Sequence, residues 1–323
     1  MLIKRAYQLL IYSILISLTY QDNDIVLKIE KFFETPTHSN NWAILVDNSR
    51  FWQNYRHAAN VLLIYDKVKK LGIPDSNIIL MMADNIPCNS RNPYAGKVFG
   101  QAQSNVNLYT SDVEVDYKDY DVTVLNFVRL LTGRVNPSLP RNKRLLSDHQ
   151  SNVMIYLTGH GGVDFIKFQD NEELTSQDLA DAIETMYQKR KFNELLVISD
   201  TCHAASLYSK INTPNVLATS SSLTDEESYS HSVDHQIGVY VVDRYAHYIS
   251  LFLKEKVTNL EGNATMNDFF EACSFEQCMS HVGVRTDLYE KDITRVKATD
   301  FFGSKKIFTS FTDEMIIEDH WFD

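Results

Sequence analysis

The stretch VMIYLTGHGG, residues 153–162, and its counterpart LLVISDTCHA, residues 195–204, decide how this chain folds. Each begins as a short, nearly continuous apolar run. Such runs read as strands buried on both faces of a parallel sheet rather than as half-exposed strands. Each then passes directly into residues that carry side-chain chemistry. Working outward, WAILVD (42–47) and IILMM (78–82) read as two more such strands, and Val216–Thr219 as a short fifth. Gly238–Val242 begins either a strand or a helix. Between them lie helical periodicities. One covers Trp52–Leu71 and ends at Gly72-Ile73-Pro74. A second covers Val122–Leu131 and stops at Thr132-Gly133. A third covers Thr175–Arg190, with Thr175 or Ser176 as N-cap. This alternation predicts an α/β fold with an open, mostly parallel sheet and helices on both faces. Active sites in such sheets lie outside the carboxyl ends of the strands. The polar segment Pro87–Tyr120 reads as a long functional loop.

Two of those strand ends carry the candidate chemistry. The glycines around His160 leave its imidazole reachable, and Gly161 can offer an N–H to a developing oxyanion. Cys202 follows the fourth strand. A helix starting near Ala204 would set its positive end by the sulfur and favour the thiolate. A lone cysteine near a strand end is usually a small buried hydrophobe, and a lone Gly-His-Gly is usually just a loop. It is their pairing at neighbouring strand ends that points to a cysteine nucleophile with a histidine partner. His203 is a rival base, but its adjacency to Cys202 turns it away.

The chain has 323 residues, a formal net charge of −11 and a pI near 5.4. That balance argues against a nucleic-acid partner, which needs a basic surface. Lys4 and Arg5, the apolar run Leu9–Leu18 and a polar exit predict a secretory signal peptide over residues 1–22. A catalytic domain is expected over 23–305. The remaining tail, 306–323, holds no run apolar enough for a transmembrane helix. The four cysteines are Cys88, Cys202, Cys273 and Cys278. Cys273 and Cys278 are close enough to bridge locally. Cys88 lies among turn formers and should be exposed; it could pair with another chain or with Cys273 or Cys278. Asn263-Ala264-Thr265 is a glycosylation sequon.

Beyond these features, the sequence resembles the catalytic subunits of glycosylphosphatidylinositol (GPI) transamidase, a caspase-like peptidase branch related to legumain. The resemblance covers nearly all of Asn40–Gly303. It is carried by NNWAILVDNSRFWQNYRHAANVLLIYDKVKKLGIPDSNIILMMAD, NPYAGKVF, DVEVDY, RLLSD, YLTGHGG, KFQD, ISDTCHAAS, RTDL and DFFGS. Legumain shares the Asn-Tyr-Arg-His run, whereas LTGRV, KFQD and DFFGS are similar to the transamidase branch. The resemblance implies a caspase-like sheet with His160 and Cys202 as catalytic dyad and Asn54 as the histidine's support. It places Arg56, Asp200, Ser228 and Ser230 in the pocket before the scissile bond. It implies no cofactor for chemistry, but a structural calcium on Asp75, Glu114 and Asp116. The implied reaction cleaves a C-terminal GPI-attachment signal from a precursor protein and passes the acyl group to the amine of a GPI lipid; the alternative is a legumain-like endopeptidase. The implied setting is the endoplasmic reticulum lumen, held at the membrane by partner subunits, one bridged through Cys88. Two departures stand out: many relatives carry a C-terminal transmembrane helix, and residue 203 is His where Gln or another polar residue is expected.

Overall fold

The structure, a computed structural model, describes residues 38–304 except 261. The expected signal peptide and C-terminal tail lie outside the described residues. The compact unit that holds the sheet and its helices begins at Asn40.

Four strands form the centre of the sheet: β1 (Asn40–Asp47), β2 (Ile78–Met82), β4 (Ser151–Thr158) and β8 (Glu194–Asp200). With β3 (Tyr117–Lys118), β9 (Val216–Ser220) and β12 (Gly283–Arg285) they make a seven-stranded sheet in the order β12-β9-β8-β4-β1-β2-β3. Every pairing is parallel except β12 with β9. Side-chain alternation divides the core into two layers. Ala43, Leu45, Met154, Tyr156, Leu196 and Ile198 point to one face. Ile44, Val46, Val153, Ile155, Leu195 and Val197 point to the other.

Each face needs helices to exclude water. The first is covered by α1 (Tyr55–Lys70), whose Ala58, Val61, Leu62 and Tyr65 are buried. The second is covered by α2 (Val124–Thr132) and α3 (Ser176–Gln188). Thr175 caps α3 in a reciprocal capping box with Asp178, satisfying two orphan amides. Gly133 ends α2 in the left-handed conformation at φ 66°. A small antiparallel sheet of β5 (Gly161–Gly162), β6 (Phe165–Phe168) and β7 (Glu172–Thr175) leads into α3.

Gly238–Val242, open between strand and helix in the sequence, is the strand β11 (Val239–Asp243). It pairs antiparallel with β10 (Ser230–Asp234), and the helix α4 (Arg244–Glu255) follows at once. Three short helices close the domain: α5 (Met266–Phe270), α6 (Phe275–Cys278) and α7 (Thr299–Phe302). Among the described residues, no helix is long and apolar enough to cross a membrane.

Candidate active site

Strand register brings the two predicted loops together. β4 and β8 pair in parallel up to Thr158 opposite Asp200. His160 and Cys202 therefore each stand two residues past the same rung, on strands about 4.8 Å apart. The loops then touch. Gly159 N–H donates to Asp200 O at 3.3 Å. A Cβ on Gly161 would lie 2.5 Å from Thr201 Oγ1 and 2.9 Å from Phe165 O, so only glycine fits there.

The expected helix after Cys202 is not an α-helix. Ala204–Tyr208 is a five-residue 3-10 turn, entered through His203 in the left-handed region at φ 55°. The serines after β9 hold this loop instead. Ser221 Oγ accepts from Thr201 N–H at 3.1 Å, Ser222 Oγ accepts from Ala204 N–H at 3.1 Å, and both hydroxyls donate back to Thr201 O. His203 faces away, its Nδ1 2.7 Å from Thr224 O.

Without a true helix end, the thiolate gains little. Burial, then the neighbouring Glu227, pushes the Cys202 thiol up to about 11, and its Sγ lies 3.9 Å from Ser228 O. Burial, then Arg56, lowers the His160 pKa. Both groups therefore rest uncharged near neutrality. Asn54 fixes which imidazole nitrogen is free. Its Nδ2 donates to Arg50 O at 2.6 Å, which turns its Oδ1 to His160 Nε2 at 2.8 Å. Nε2 thus carries the hydrogen, and Nδ1 is left as the acceptor.

A residue that sequence reasoning missed ties this site together. Asp243 is buried at the end of β11. Its Oδ1 accepts from Arg56 Nε at 3.0 Å, and its Oδ2 accepts from Asn60 Nδ2 at 2.6 Å and lies 3.6 Å from His57 Nε2. His57 in turn meets His160 edge-on at 5.1 Å and Ser49 Oγ at 2.8 Å. Asp200, also buried, accepts from Tyr156 Oη at 2.9 Å; burial, then the charge of Asp243, raises it to about 7. The sequence did hold a signal: WAILVD, LLVISD and VYVVD each end an apolar strand in an aspartate. Ser230 sits opposite Asp243 in the β10–β11 hairpin, and Ser228, two residues before it, has its carbonyl beside Cys202.

The remaining predicted residues lie elsewhere. Cys273 and Cys278 are bonded to each other, which removes the intrachain alternative and leaves Cys88 a free, exposed thiol. Asn263 is exposed. The calcium carboxylates do not assemble. Asp75 is held by Lys69 at 3.0 Å and by the Tyr65 hydroxyl at 2.6 Å. Asp116 is buried, accepts from Leu80 N–H and Asn142 Nδ2, and is pushed up to about 6 by burial. Among the described residues, no three His, Cys, Asp or Glu side chains converge to hold a metal ion. As arranged, this set does not fit calcium, which takes six to eight oxygens.

A parallel α/β sheet that delivers a thiol and an oriented imidazole from adjacent strand ends is the architecture of a cysteine-dependent acyl-transfer enzyme. The chain belongs to the peptidase C13 family, whose profile matches residues 41–303. It is 57% identical over 295 residues to a Caenorhabditis elegans protein named "Putative GPI-anchor transamidase", covering 91% of this chain and 92% of that one. It is 52% identical to the mouse GPI-anchor transamidase (90% and 72% covered) and 54% identical to the human one (85% and 69%). A solved caspase-1 from Spodoptera frugiperda covers 85% of this chain at 10% identity and a TM-score of 0.47. At that score the sheet order itself, not the superposition, carries the fold.

Proposed function

We propose that this chain is the catalytic component of a GPI-anchor transamidase. It cleaves a C-terminal attachment signal from a precursor protein and joins the new carboxyl end to the ethanolamine amine of a GPI lipid. The observation that carries this reading is the Asn54–His160–Cys202 arrangement within a chain more than half identical to transamidases along most of its length.

The steps follow from the resting protonation states. As the substrate carbonyl docks, the Cys202 thiol gives its proton to His160 Nδ1 and the sulfur attacks carbon. The N–H groups of Gly161 and Cys202 receive the oxyanion. His160 then protonates the departing amide nitrogen, the C–N bond breaks, and a thioester remains. The lipid's amine attacks that thioester, passes a proton through His160 and releases the thiol. Arg56, Asp200, Ser228 and Ser230 line the pocket before the scissile bond, with Asp243 holding Arg56 in place. No step is assigned to calcium.

The reading extends to a setting in the endoplasmic reticulum lumen, a signal peptide over 1–22, a glycan on Asn263 and membrane-anchored partner subunits. The test uses the assembled enzyme, a signal-bearing precursor and a small amine such as hydrazine, with the product's new C-terminus read by mass spectrometry. A hydrazide end supports transamidation. A free carboxyl alone, with the amine in excess, would overturn it in favour of legumain-like hydrolysis, which no feature of the site favours.

A further inference from the structure

At the end of the sheet opposite Cys202, a cleft of about 460 Å³ opens beside the start of β4 and the residues that lead into β8. Its charge is out of keeping with the chain. The formal net charge is −11, yet the 26 residues from Val122 to Ser147 hold five Lys or Arg and no acid, and Lys189-Arg190-Lys191 adds three more cations. Arg144, Lys189, Arg190 and Lys191 line the cleft. Lys189 donates to Thr132 O at 2.7 Å and Lys191 to Leu145 O at 2.8 Å, so both ammonium groups are held at its walls by backbone carbonyls. Burial, then its neighbour Lys189, lowers the Lys191 pKa. Among the described residues, no carboxylate forms an ion pair with these four cations. Asp148 also lines the cleft, but its carboxylate is taken by Gln150 N–H and the Ser151 hydroxyl. The Nε of Arg144 is buried with no partner. Apolar Val135, Leu145 and Leu146 share the lining, and Leu146 is 41% exposed. Uncompensated cations beside apolar wall call for an occupant that is both acidic and apolar.

The chain holds one within reach. Its described part ends at Ser304, at the amino end of β1, where Asn41 Nδ2 donates to Gly303 O and Ser304 N–H donates to Leu71 O. In the sheet, β1 is two strands from β8, about 10 Å. Residues 312–323 read TDEMIIEDHWFD, with five carboxylate side chains, no Lys or Arg, and Met315, Ile316, Ile317, Trp321 and Phe322. The nine Cα-to-Cα steps from Ser304 to Asp313 span up to about 30 Å when extended.

We propose that the C-terminal segment 312–323 docks in this cleft. Its carboxylates meet Arg144, Lys189, Arg190 and Lys191, and its apolar side chains cover Val135 and Leu146. The proposal stands apart from the catalytic reading and does not depend on it. It is tested on the full chain, in dilute solution, with a water-soluble carbodiimide that joins contacting amines and carboxylates as amides with loss of water. Peptide mapping should find Lys189 or Lys191 linked to Asp313, Glu314, Glu318 or Asp319. The Lys69–Asp75 pair, 3.0 Å apart, serves as internal standard. The double variant Arg144→Glu, Arg190→Glu keeps every linkable group yet should cut the yield about tenfold, as should 1 M salt, through repulsion and screening. The proposal is overturned if the standard links and the tail does not, or if the charge reversal leaves the yield unchanged. Links between isotopically labelled and unlabelled chains in a mixture would instead assign the cleft to a second copy and also overturn it.

Discussion

Cys202 and His160 rest as thiol and neutral imidazole, and this sets what each should do when perturbed. Cys202→Ala and His160→Ala should each lower product formation by more than about 100-fold with the fold retained, as for loss of a nucleophile or a general acid–base. Near-normal turnover in Cys202→Ala would remove the mechanism. Because burial and Glu227 hold the thiol near 11, alkylation of Cys202 by iodoacetamide in the substrate-free enzyme should keep accelerating well above pH 8.5. A plateau below pH 7 would reveal a preformed thiolate instead. Asn54→Asp tests the tautomer argument. A carboxylate against Nε2 stabilises the imidazolium and raises the His160 pKa, so the base is lost at higher pH. The acid limb of kcat/KM should move up by about one pH unit; an unmoved limb would mean Asn54 does not act on His160. The polar residues at strand ends stood out because a His and a Cys close two neighbouring apolar strands, whereas either alone reads as a loop or a small buried hydrophobe. Asp243 and His57 did not, since they meet only through the fold: Asp243 and its partner Arg56, next to His57, are 187 residues apart in sequence.

At the scale of elements, the apolar runs read correctly as strands because burial on both faces leaves a continuous signature. The turn after Cys202 misled because its backbone bonds are satisfied by Ser221 and Ser222, from the segment that follows β9, rather than by a helix. Register explains why Gly161 tolerates nothing larger. Gly161→Ala must displace Thr201, one residue from the nucleophile, or the Phe165 carbonyl. Activity should fall about 100-fold, in kcat more than in KM, since a shift of about 1 Å costs that much alignment. Equal kcat in wild type and variant would show that the two loops are not coupled. The buried aspartates at the strand ends give a pH signature. Burial and Asp243 hold Asp200 at about 7, above its ordinary value near 3.9. Below pH 4 it is protonated folded or unfolded and costs nothing. Between pH 4 and 7 the unfolded chain releases the proton while the folded chain keeps it, so stability falls as pH rises. Asp200→Asn should therefore gain on the wild type across that window, by about 5 °C in Tm. A difference that stays flat with pH would show the carboxyl to be ionised in the folded state.

The whole molecule poses a problem of attachment. The proposed substrates both end in a membrane, yet among the described residues no helix can cross one. The sequence could not decide how Cys88 is used, because pairing depends on distances that spacing does not reveal. The fold narrows the choice, since Cys273 and Cys278 are spent on each other. Cys88 stands exposed at the end of a short 3-10 turn, Ile86–Cys88, whose last amide is held by the Asn85 side chain. In the proposed oxidising lumen, a thiol presented this way would pair with a thiol outside its own chain. A non-reducing gel of the native assembly should therefore show this chain in a high-mass band. That band should collapse on reduction and be absent in Cys88→Ser. A monomer-sized band with and without reductant would refute the covalent link. Activity in Cys88→Ser should fall by less than about tenfold, because a standard interface of about 1,600 Å² holds subunits together without a covalent bond. Complete loss of activity with the assembly intact would instead place Cys88 in the chemistry.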